Sequence, residues 1–450
     1  VPPSTILDGN SFSSADAAAL PAEDQRLVQR RRRVLGPSYR LFYRRPVHLV
    51  RGAGTRVWDA EGREYLDAYN NVASIGHCHP AVVEAVHRQM GVLNTHSRYL
   101  QRGVLDYADQ LVATFPAALD TVMFTNSGSE ANDLAIRVAR HATGGTGVVV
   151  TAEAYHGTTA LLAEVSPAMG GDQPLGPSTA VVAAPDAYRL GGGPALGAWF
   201  AARITEAFDG LRERGVRPAA FLVDSIMASD GVLSDPAVLG PALEAVHRAG
   251  ALFIADEVQP GFARTGSAFW GFARHGVVPD LVTLGKPMGN GIPVGAVVGK
   301  REVVGRFGAE VPYFNTFGGS SVPVAAARAV LDVVQGEGLA ERSEQLGARL
   351  RADVRALAQR HPAIGDVRGA GLFLGVELVG DPVTRTPDGA LALDVVNGLR
   401  ESGVLVSVAG PHNDVLKVRP PLVSTEADVA LLVERLDEVL TRCTAAAVAR

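Results

Sequence analysis

The chain has 450 residues, 47% of them hydrophobic and 20% charged, the make-up of a soluble globular protein with a sizeable core. Its net charge of -5 gives no basic field for nucleic acid, and no apolar run reaches the length of a membrane span. Two cysteines, Cys78 and Cys443, are too few for a disulfide framework, and Val1-Pro2-Pro3-Ser4 lacks the basic start and apolar core of a signal peptide, so a reducing, cytoplasmic setting is expected.

Residues 1 to about 20 are small and polar and are expected to be mobile. An Arg-rich helical stretch follows to about residue 40; its run Arg30 to Arg33 reads as a solvated helix face or a subunit contact. Segments 47–51, 56–59 and 65–68 read as strands, with Asp59-Ala60-Glu61-Gly62 as a turn. His77-Cys78-His79 is not read as a metal site, because neighbouring side chains of an extended segment point to opposite faces and no second ligand pair follows. From about residue 80 helices alternate with short apolar runs at 122–125, 147–151, 179–183, 219–223, 252–256, 281–284 and 296–298. That alternation implies a mostly parallel sheet covered on both faces. Residues 322–360 read as Ala-rich helix, and a final α+β segment ends in a helix from residue 424.

Four local features carry chemistry. The strand ending at Thr125 runs into Asn126-Ser127-Gly128-Ser129-Glu130-Ala131-Asn132, a small turn opening a helix; its free N–H groups and positive dipole end suit a phosphate, though a capped helix needs the same residues. Asp256 ends the strand Leu252-Phe253-Ile254-Ala255-Asp256, where such sheets bind ligands, and a carboxylate there can keep a pyridinium protonated. Lys286, in Leu284-Gly285-Lys286-Pro287, follows another strand thirty residues later; apolar flanks free a nucleophilic amine. Tyr155, in Tyr155-His156-Gly157, offers a ring for stacking or for core packing.

In this order these residues resemble the class III (ω-amino acid type) family of pyridoxal-phosphate-dependent aminotransferases, from about Tyr39 to the C-terminus. Ala255-Asp256-Glu257-Val258-Gln259 with Arg264-Thr265-Gly266, and Gly285-Lys286, carry the likeness furthest besides the turn at Ser127. The resemblance implies an α/β architecture of fold type I. A large domain with a mostly parallel sheet covered by helices joins a small α+β domain drawn from both termini. The expected boundaries are 1–75 for the N-terminal part of the small domain, 76–334 for the large cofactor-binding domain and 335–450 for the C-terminal part. It also implies pyridoxal 5'-phosphate as cofactor, with Lys286 as Schiff-base residue and proton shuttle and Asp256 on the pyridine nitrogen. Gln259 is expected near the ring hydroxyl, Val258 and Tyr155 on the two ring faces, and Gly128 and Ser129 at the phosphate. Thr316 is expected to reach that phosphate from a neighbouring subunit, so a homodimer or dimer of dimers with shared sites is implied.

Two positions depart from many members. Asp224 stands where they carry glutamate, and Lys417 where they carry the arginine that binds a substrate carboxylate, with Arg419 two residues on. Lysine lacks the planar fork that grips a carboxylate, yet pairs well with phosphate. Asn70-Asn71-Val72-Ala73, Gly76-His77-Cys78-His79-Pro80 and Leu93-Asn94-Thr95-His96-Ser97-Arg98-Tyr99-Leu100 are similar to the branch of phospho-lyases acting on phosphoethanolamine or phosphohydroxylysine. A small-molecule amine is therefore the expected substrate, with Asn71, Arg98, Lys417 and Arg419 around its phosphate. The alternative is an aminotransferase using pyruvate or 2-oxoglutarate. A non-catalytic cofactor-binding protein ranks last, because Lys286 is retained.

Overall fold

Seven short apolar segments between residues 121 and 299 pair into one sheet that organises the chain. The computed structural model describes residues 8–266 and 268–448. Ahead of the sheet lie helix α1 (Ala22–Leu35), the antiparallel strands β1 (Leu49–Ala53), β2 (Arg56–Asp59) and β3 (Glu64–Asp67), and helices α2 (Pro80–Met90) and α3 (Arg102–Val112). The sheet itself comprises β4 (Thr121–Thr125), β5 (Gly147–Thr151), β6 (Thr179–Val182), β7 (Pro218–Asp224), β8 (Leu252–Asp256), β9 (Leu281–Leu284) and β10 (Gly295–Gly299). Their spatial order is β4-β10-β9-β8-β7-β5-β6, and only β10 runs against its two neighbours. The architecture is the mostly parallel α/β sheet that the residues imply.

Both faces of the sheet are buried, and the side chains divide with the strand period of two. Val148, Val150, Leu222 and Ile254 pack beneath helix α4 (Gly128–Thr143). Val149, Phe221, Val223 and Phe253 pack on the other face, against the helices Pro194–Glu213 and Leu239–Arg248. Each such fully buried aliphatic or aromatic side chain contributes about 1.5–3 kcal/mol of burial free energy. This packing fixes the carboxyl ends of β5, β7, β8 and β9 as a rigid rim.

Among the described residues the remaining strands form two smaller sheets. Strands β11 (Ile364–Ala370), β12 (Phe373–Asp381), β13 (Thr386–Pro387), β14 (Val404–Leu405), β15 (Ser407–Ala409) and β16 (Val415–Val418) follow the large sheet in sequence. One sheet has the order β11-β12-β16-β15, with β13 on β12. In the other, β14 adds in parallel to β3 beside β2 and β1, so the two ends of the chain share a sheet.

The helical stretch expected at 322–360 is two helices, Ser321–Gly336 and Leu339–Ala358. Gly338, at φ +60°, breaks it, because the left-handed backbone has no place inside an α-helix. Of the N-terminal twenty residues expected to be mobile, 1–7 lie outside the described residues, whereas the backbone around Asn10 is docked. The Asn10 carbonyl accepts from the Tyr43 N–H at 3.0 Å, and that of Leu41 from Phe12 at 2.8 Å. Among the described residues no helix is long and apolar enough to cross a membrane.

Candidate active site

A cavity of about 270 Å³ opens at the carboxyl end of the large sheet. Its floor is the first turn of α4. Ser127, at φ -155°, caps that helix: its Oγ accepts from the Glu130 N–H at 3.1 Å, while the Glu130 carboxylate accepts from the Asn126 N–H at 2.9 Å. The cap is therefore real. It leaves the N–H groups of Gly128 and Ser129 without intrahelical carbonyls, and both residues line the cavity. A Cβ on Gly128 would stand 2.8 Å from Val258 Cγ2, and one on Gly285 2.9 Å from the Gly128 nitrogen. Glycine at both positions lets the three chain segments carrying Gly128, Val258 and Gly285 close on one another at the cavity floor.

Asp256 ends β8 and faces this cavity. One carboxylate oxygen accepts from Asn132 Nδ2 at 2.9 Å and lies 2.7 Å from His156 Nδ1; the other accepts from the Val258 N–H at 3.0 Å. Asn132 in turn accepts from Thr283 Oγ1 at 2.6 Å and donates to the His156 carbonyl at 2.9 Å. The carboxylate is thus locked in place by groups from α4, the β5 loop and β9. Asn132 and His156 both stood inside the motifs already singled out, but no role was assigned to them. The signal was available: Asn132 lies one helical turn after Gly128, on the same face of α4.

Lys286 projects into the cavity just beyond β9. The enclosing walls lower its ammonium pKa by desolvation, an effect the Asp256 carboxylate opposes. Val258, Gln259 and half-buried Tyr155 also line the cavity. A pyridoxal phosphate fits this donor set. The cradle of Gly128 and Ser129 would take the phosphate, Asp256 a ring nitrogen and Lys286 the aldehyde carbon.

Behind Gln259 lies a charged layer from the small domain. Lys417 and Arg419 alternate on β16 and its end, so they share a face; both are buried, at 7% and 5% exposure. Both flank the Phe373 ring, at 5.8 and 5.3 Å from its centroid, and Arg419 also covers Tyr69 at 4.7 Å. Arg419 donates through Nη1 to the Gln259 side-chain oxygen at 2.6 Å. The Gln259 amide, expected at a ring hydroxyl, is in this arrangement engaged by Arg419 and, at 3.5 Å, by Asp224. Asp224 accepts from the N–H groups of Ile226 and Ala228; burial and the Asp256 charge push its pKa up to about 6. Burial first, then Arg419, holds the Lys417 ammonium well below its ordinary value.

Asn71 is buried beside this layer and donates to the Gln259 carbonyl at 3.0 Å, and its own Oδ1 has no hydrogen-bond partner among the described residues. Arg264 was seen only as part of a motif. It is fully buried, donates to the Pro420 and Leu372 carbonyls and so anchors the turn after Arg419. Asn71, Lys417 and Arg419 stand behind the lining residues of the cavity, and two further expected residues lie away from it within one chain: Arg98 is exposed, with its guanidinium 4.1 Å from the centroid of the Phe314 ring, and Thr316 is exposed two residues beyond that ring. Cys78 is exposed and His77 pairs with Asp67 at 2.7 Å; among the described residues no His, Cys, Asp and Glu group is arranged to hold a metal.

Residues 42–440 match the family model for aminotransferase class-III. Ethanolamine-phosphate phospho-lyase homolog 1 of Caenorhabditis elegans is 37% identical, over 96% of this chain and 97% of the relative. An alanine--glyoxylate aminotransferase 2-like protein of Drosophila melanogaster is 42% identical, over 88% of this chain and 83% of its own. Among solved structures, a phospholyase from Arthrobacter in complex with phosphoethanolamine superposes with a TM-score of 0.89 at 42% identity, covering 92% of this chain and 99% of that one.

Proposed function

Because the chain belongs to the class III aminotransferase family, whose enzymes use pyridoxal 5'-phosphate, we propose that it is a phospho-lyase that eliminates phosphate from an amino phosphate such as phosphoethanolamine. The products are an aldehyde, ammonia and phosphate. The observation that carries this reading is the pair Lys417 and Arg419, two buried cations on one face of β16 behind the cavity, with lysine at the expected carboxylate-binding position. A lysine ammonium, a point charge beside the Arg419 guanidinium, suits the compact, doubly charged end of a phosphate monoester better than the planar carboxylate that an arginine at 417 would grip. The names of the worm relative and of the Arthrobacter neighbour support the same chemistry.

In this reading Gly128 and Ser129 hold the cofactor phosphate at the α4 N-terminus, joined by Thr316 of a neighbouring subunit. Asp256, fixed by His156 and Asn132, faces the pyridine nitrogen; Val258 and Tyr155 take the two ring faces and Gln259 lies near the ring hydroxyl. The bound cofactor supplies an electron sink next to the substrate amine. Lys286, whose lowered pKa leaves it more often neutral, removes the proton from the carbon bearing nitrogen. Lys417 and Arg419 hold the substrate phosphate, with Asn71 at the edge and Arg98 arriving across the subunit contact. Exposed Leu93, Tyr99, Leu100, Phe314 and Phe317, around Arg98 and Thr316, support a homodimer or dimer of dimers.

One observation favours a second reading. The Arg419 guanidinium keeps a fork that can take a carboxylate, and the Drosophila relative bears an aminotransferase name, so transfer to pyruvate or 2-oxoglutarate is the alternative. Phosphoethanolamine is given to the yellow holoenzyme while released phosphate and formation of pyridoxamine phosphate are followed together. Steady phosphate release without any 2-oxo acid is expected. Bleaching that pyruvate or 2-oxoglutarate reverses, with no phosphate released, makes the protein an aminotransferase.

A further inference from the structure

A phosphate monoester dianion leaves as a trianion, a strong base, unless a proton reaches the bridging oxygen as the C–O bond breaks. Elimination of phosphate therefore calls for a proton donor beside the leaving group. Three buried cations, on the cavity wall or in the layer behind Gln259, act on one another's charge there. Lys286 has the task of taking the proton from carbon. Arg419 keeps its proton throughout the working range, and its Nη1 already donates to Gln259 at 2.6 Å. Lys417 is the third. It is only 7% exposed, yet its ammonium makes no hydrogen bond or ion pair with any described residue.

The surroundings of Lys417 keep this ammonium free. Its register neighbours, Gly375 on β12 and Ser407 on β15, are small. The charges that bear on it come from several elements: Asp224 at the end of β7 and Asp230 in the loop beyond, which favour its proton, and Arg419 and Lys286, which oppose it. Both carboxylates are engaged elsewhere, Asp224 by the N–H groups of Ile226 and Ala228 and Asp230 by Thr151 Oγ1 at 2.7 Å and the Glu153 N–H at 2.9 Å. A buried ammonium beside the Phe373 ring, with opposing fields and no hydrogen-bond or ion-pair partner among the described residues, is suited to gain a proton when an anion arrives and to give it up when that anion becomes a base.

We propose that Lys417 is the proton donor to the leaving phosphate. The inference rests on the phospho-lyase reading. As Lys286 removes the proton from the carbon bearing nitrogen, the C–H electron pair becomes the new carbon–carbon π bond. The C–O bond breaks with its pair going to oxygen, and that oxygen takes a proton from Lys417 Nζ. Hydrogen phosphate departs; Lys286 then releases to solvent the proton it took from carbon, and Lys417 regains one from solvent, so no net proton is gained or lost in the step. Burial, which lowers the Lys417 pKa, makes this ammonium a stronger acid than a solvated one.

Lys417→Arg keeps the charge and withholds the proton; Lys417→Met serves as the second variant. With phosphoethanolamine, Lys417→Arg is expected to lower kcat for phosphate release by about 100-fold or more while KM changes by only a few-fold. Elimination of chloride from 2-chloroethylamine, a leaving group that needs no proton, is expected to lose far less, so that the ratio of chloride to phosphate elimination rises by about tenfold or more. Independently of turnover, calorimetric titration of the holoenzyme with inorganic phosphate in buffers of different ionisation enthalpy is expected to register proton uptake in the wild type and none in either variant. An unchanged kcat, an equal loss of phosphate and chloride elimination, or proton uptake that survives in Lys417→Arg would each overturn the proposal. A wild type that releases no phosphate would instead overturn the phospho-lyase reading on which it rests.

Discussion

Asp224 and Asp256 are register partners at the carboxyl ends of the adjacent strands β7 and β8, so two carboxylates end side by side on one rim. They are not equivalent. Asp256 is held by Asn132, the Val258 N–H and His156, whereas Asp224 has two backbone N–H donors and feels the charge of its neighbour.

Asp224 binds its proton more tightly in the folded chain, at about 6 against 3.8. Its protonation therefore stabilises the fold fully below about pH 4, and that contribution is lost as pH rises through about 6. Asp224→Asn is expected to remove this dependence, so that its melting temperature gains on the wild type between about pH 4 and 7. Thermal unfolding across that range checks it; a constant difference between the two proteins would remove the buried-carboxylate account.

Gly128→Ala puts a Cβ 2.8 Å from Val258 Cγ2, inside the cradle. Overpacking of this kind costs about 1–3 kcal/mol, and if the strain is relieved when the cradle opens, cofactor affinity drops about tenfold or more. A spectroscopic titration of the apoprotein with pyridoxal phosphate measures this. Undiminished affinity would mean that the phosphate does not sit at the α4 N-terminus.

Lys286→Ala removes the amine that projects into the cavity. Turnover is expected to fall by at least about 10⁴-fold, since both cofactor attachment and proton transfer are lost. The absorbance of the protein-bound cofactor should shift at the same time. Residual activity within tenfold of wild type would place the nucleophile elsewhere.

Arg419→Met is expected to raise KM for phosphoethanolamine by about 10- to 100-fold, the worth of a charge-assisted hydrogen bond to phosphate. Steady-state kinetics decides it. A loss confined to kcat would assign Arg419 to the positioning of Gln259 and not to the substrate.

Glu257 carries a prediction about folding alone. Its buried carboxylate accepts from Ser225 Oγ at 2.6 Å and from the N–H groups of Gly271 and Phe272 at 2.7 and 2.8 Å, and burial pushes its pKa up to about 7. Glu257→Ala leaves three donors unpaired, and is expected to destabilise the chain by about 3 kcal/mol or more. Urea unfolding tests it; a loss below about 1 kcal/mol would mean that water replaces the carboxylate.

The large sheet and the capped turn that floors the cavity were legible because their signals are local. A buried parallel strand needs an unbroken apolar run, and a phosphate turn needs glycine and serine at a helix start, so β5, β8 and the Ser127 to Glu130 turn could be read from a few residues each. The ends of the elements were less legible, since Gly338 breaks a helix that composition alone would continue.

The sequence by itself determined the sheet, the order of Gly128, Asp256 and Lys286 along it, and the unusual lysine at 417. Only the tertiary structure decided that Arg419 donates to Gln259, that Asn132 and His156 fix Asp256, and that Lys417 has no hydrogen-bond or ion-pair partner among the described residues. The hydrogen bonds among them join residues 100 to 160 positions apart, set by how α4 and the loop after β5 close on the end of β8 and by how β16 packs onto the rim of the large sheet. Pairing across such separations leaves no trace in local periodicity, because the strand and helix repeats fix which face a side chain takes but not what it meets there.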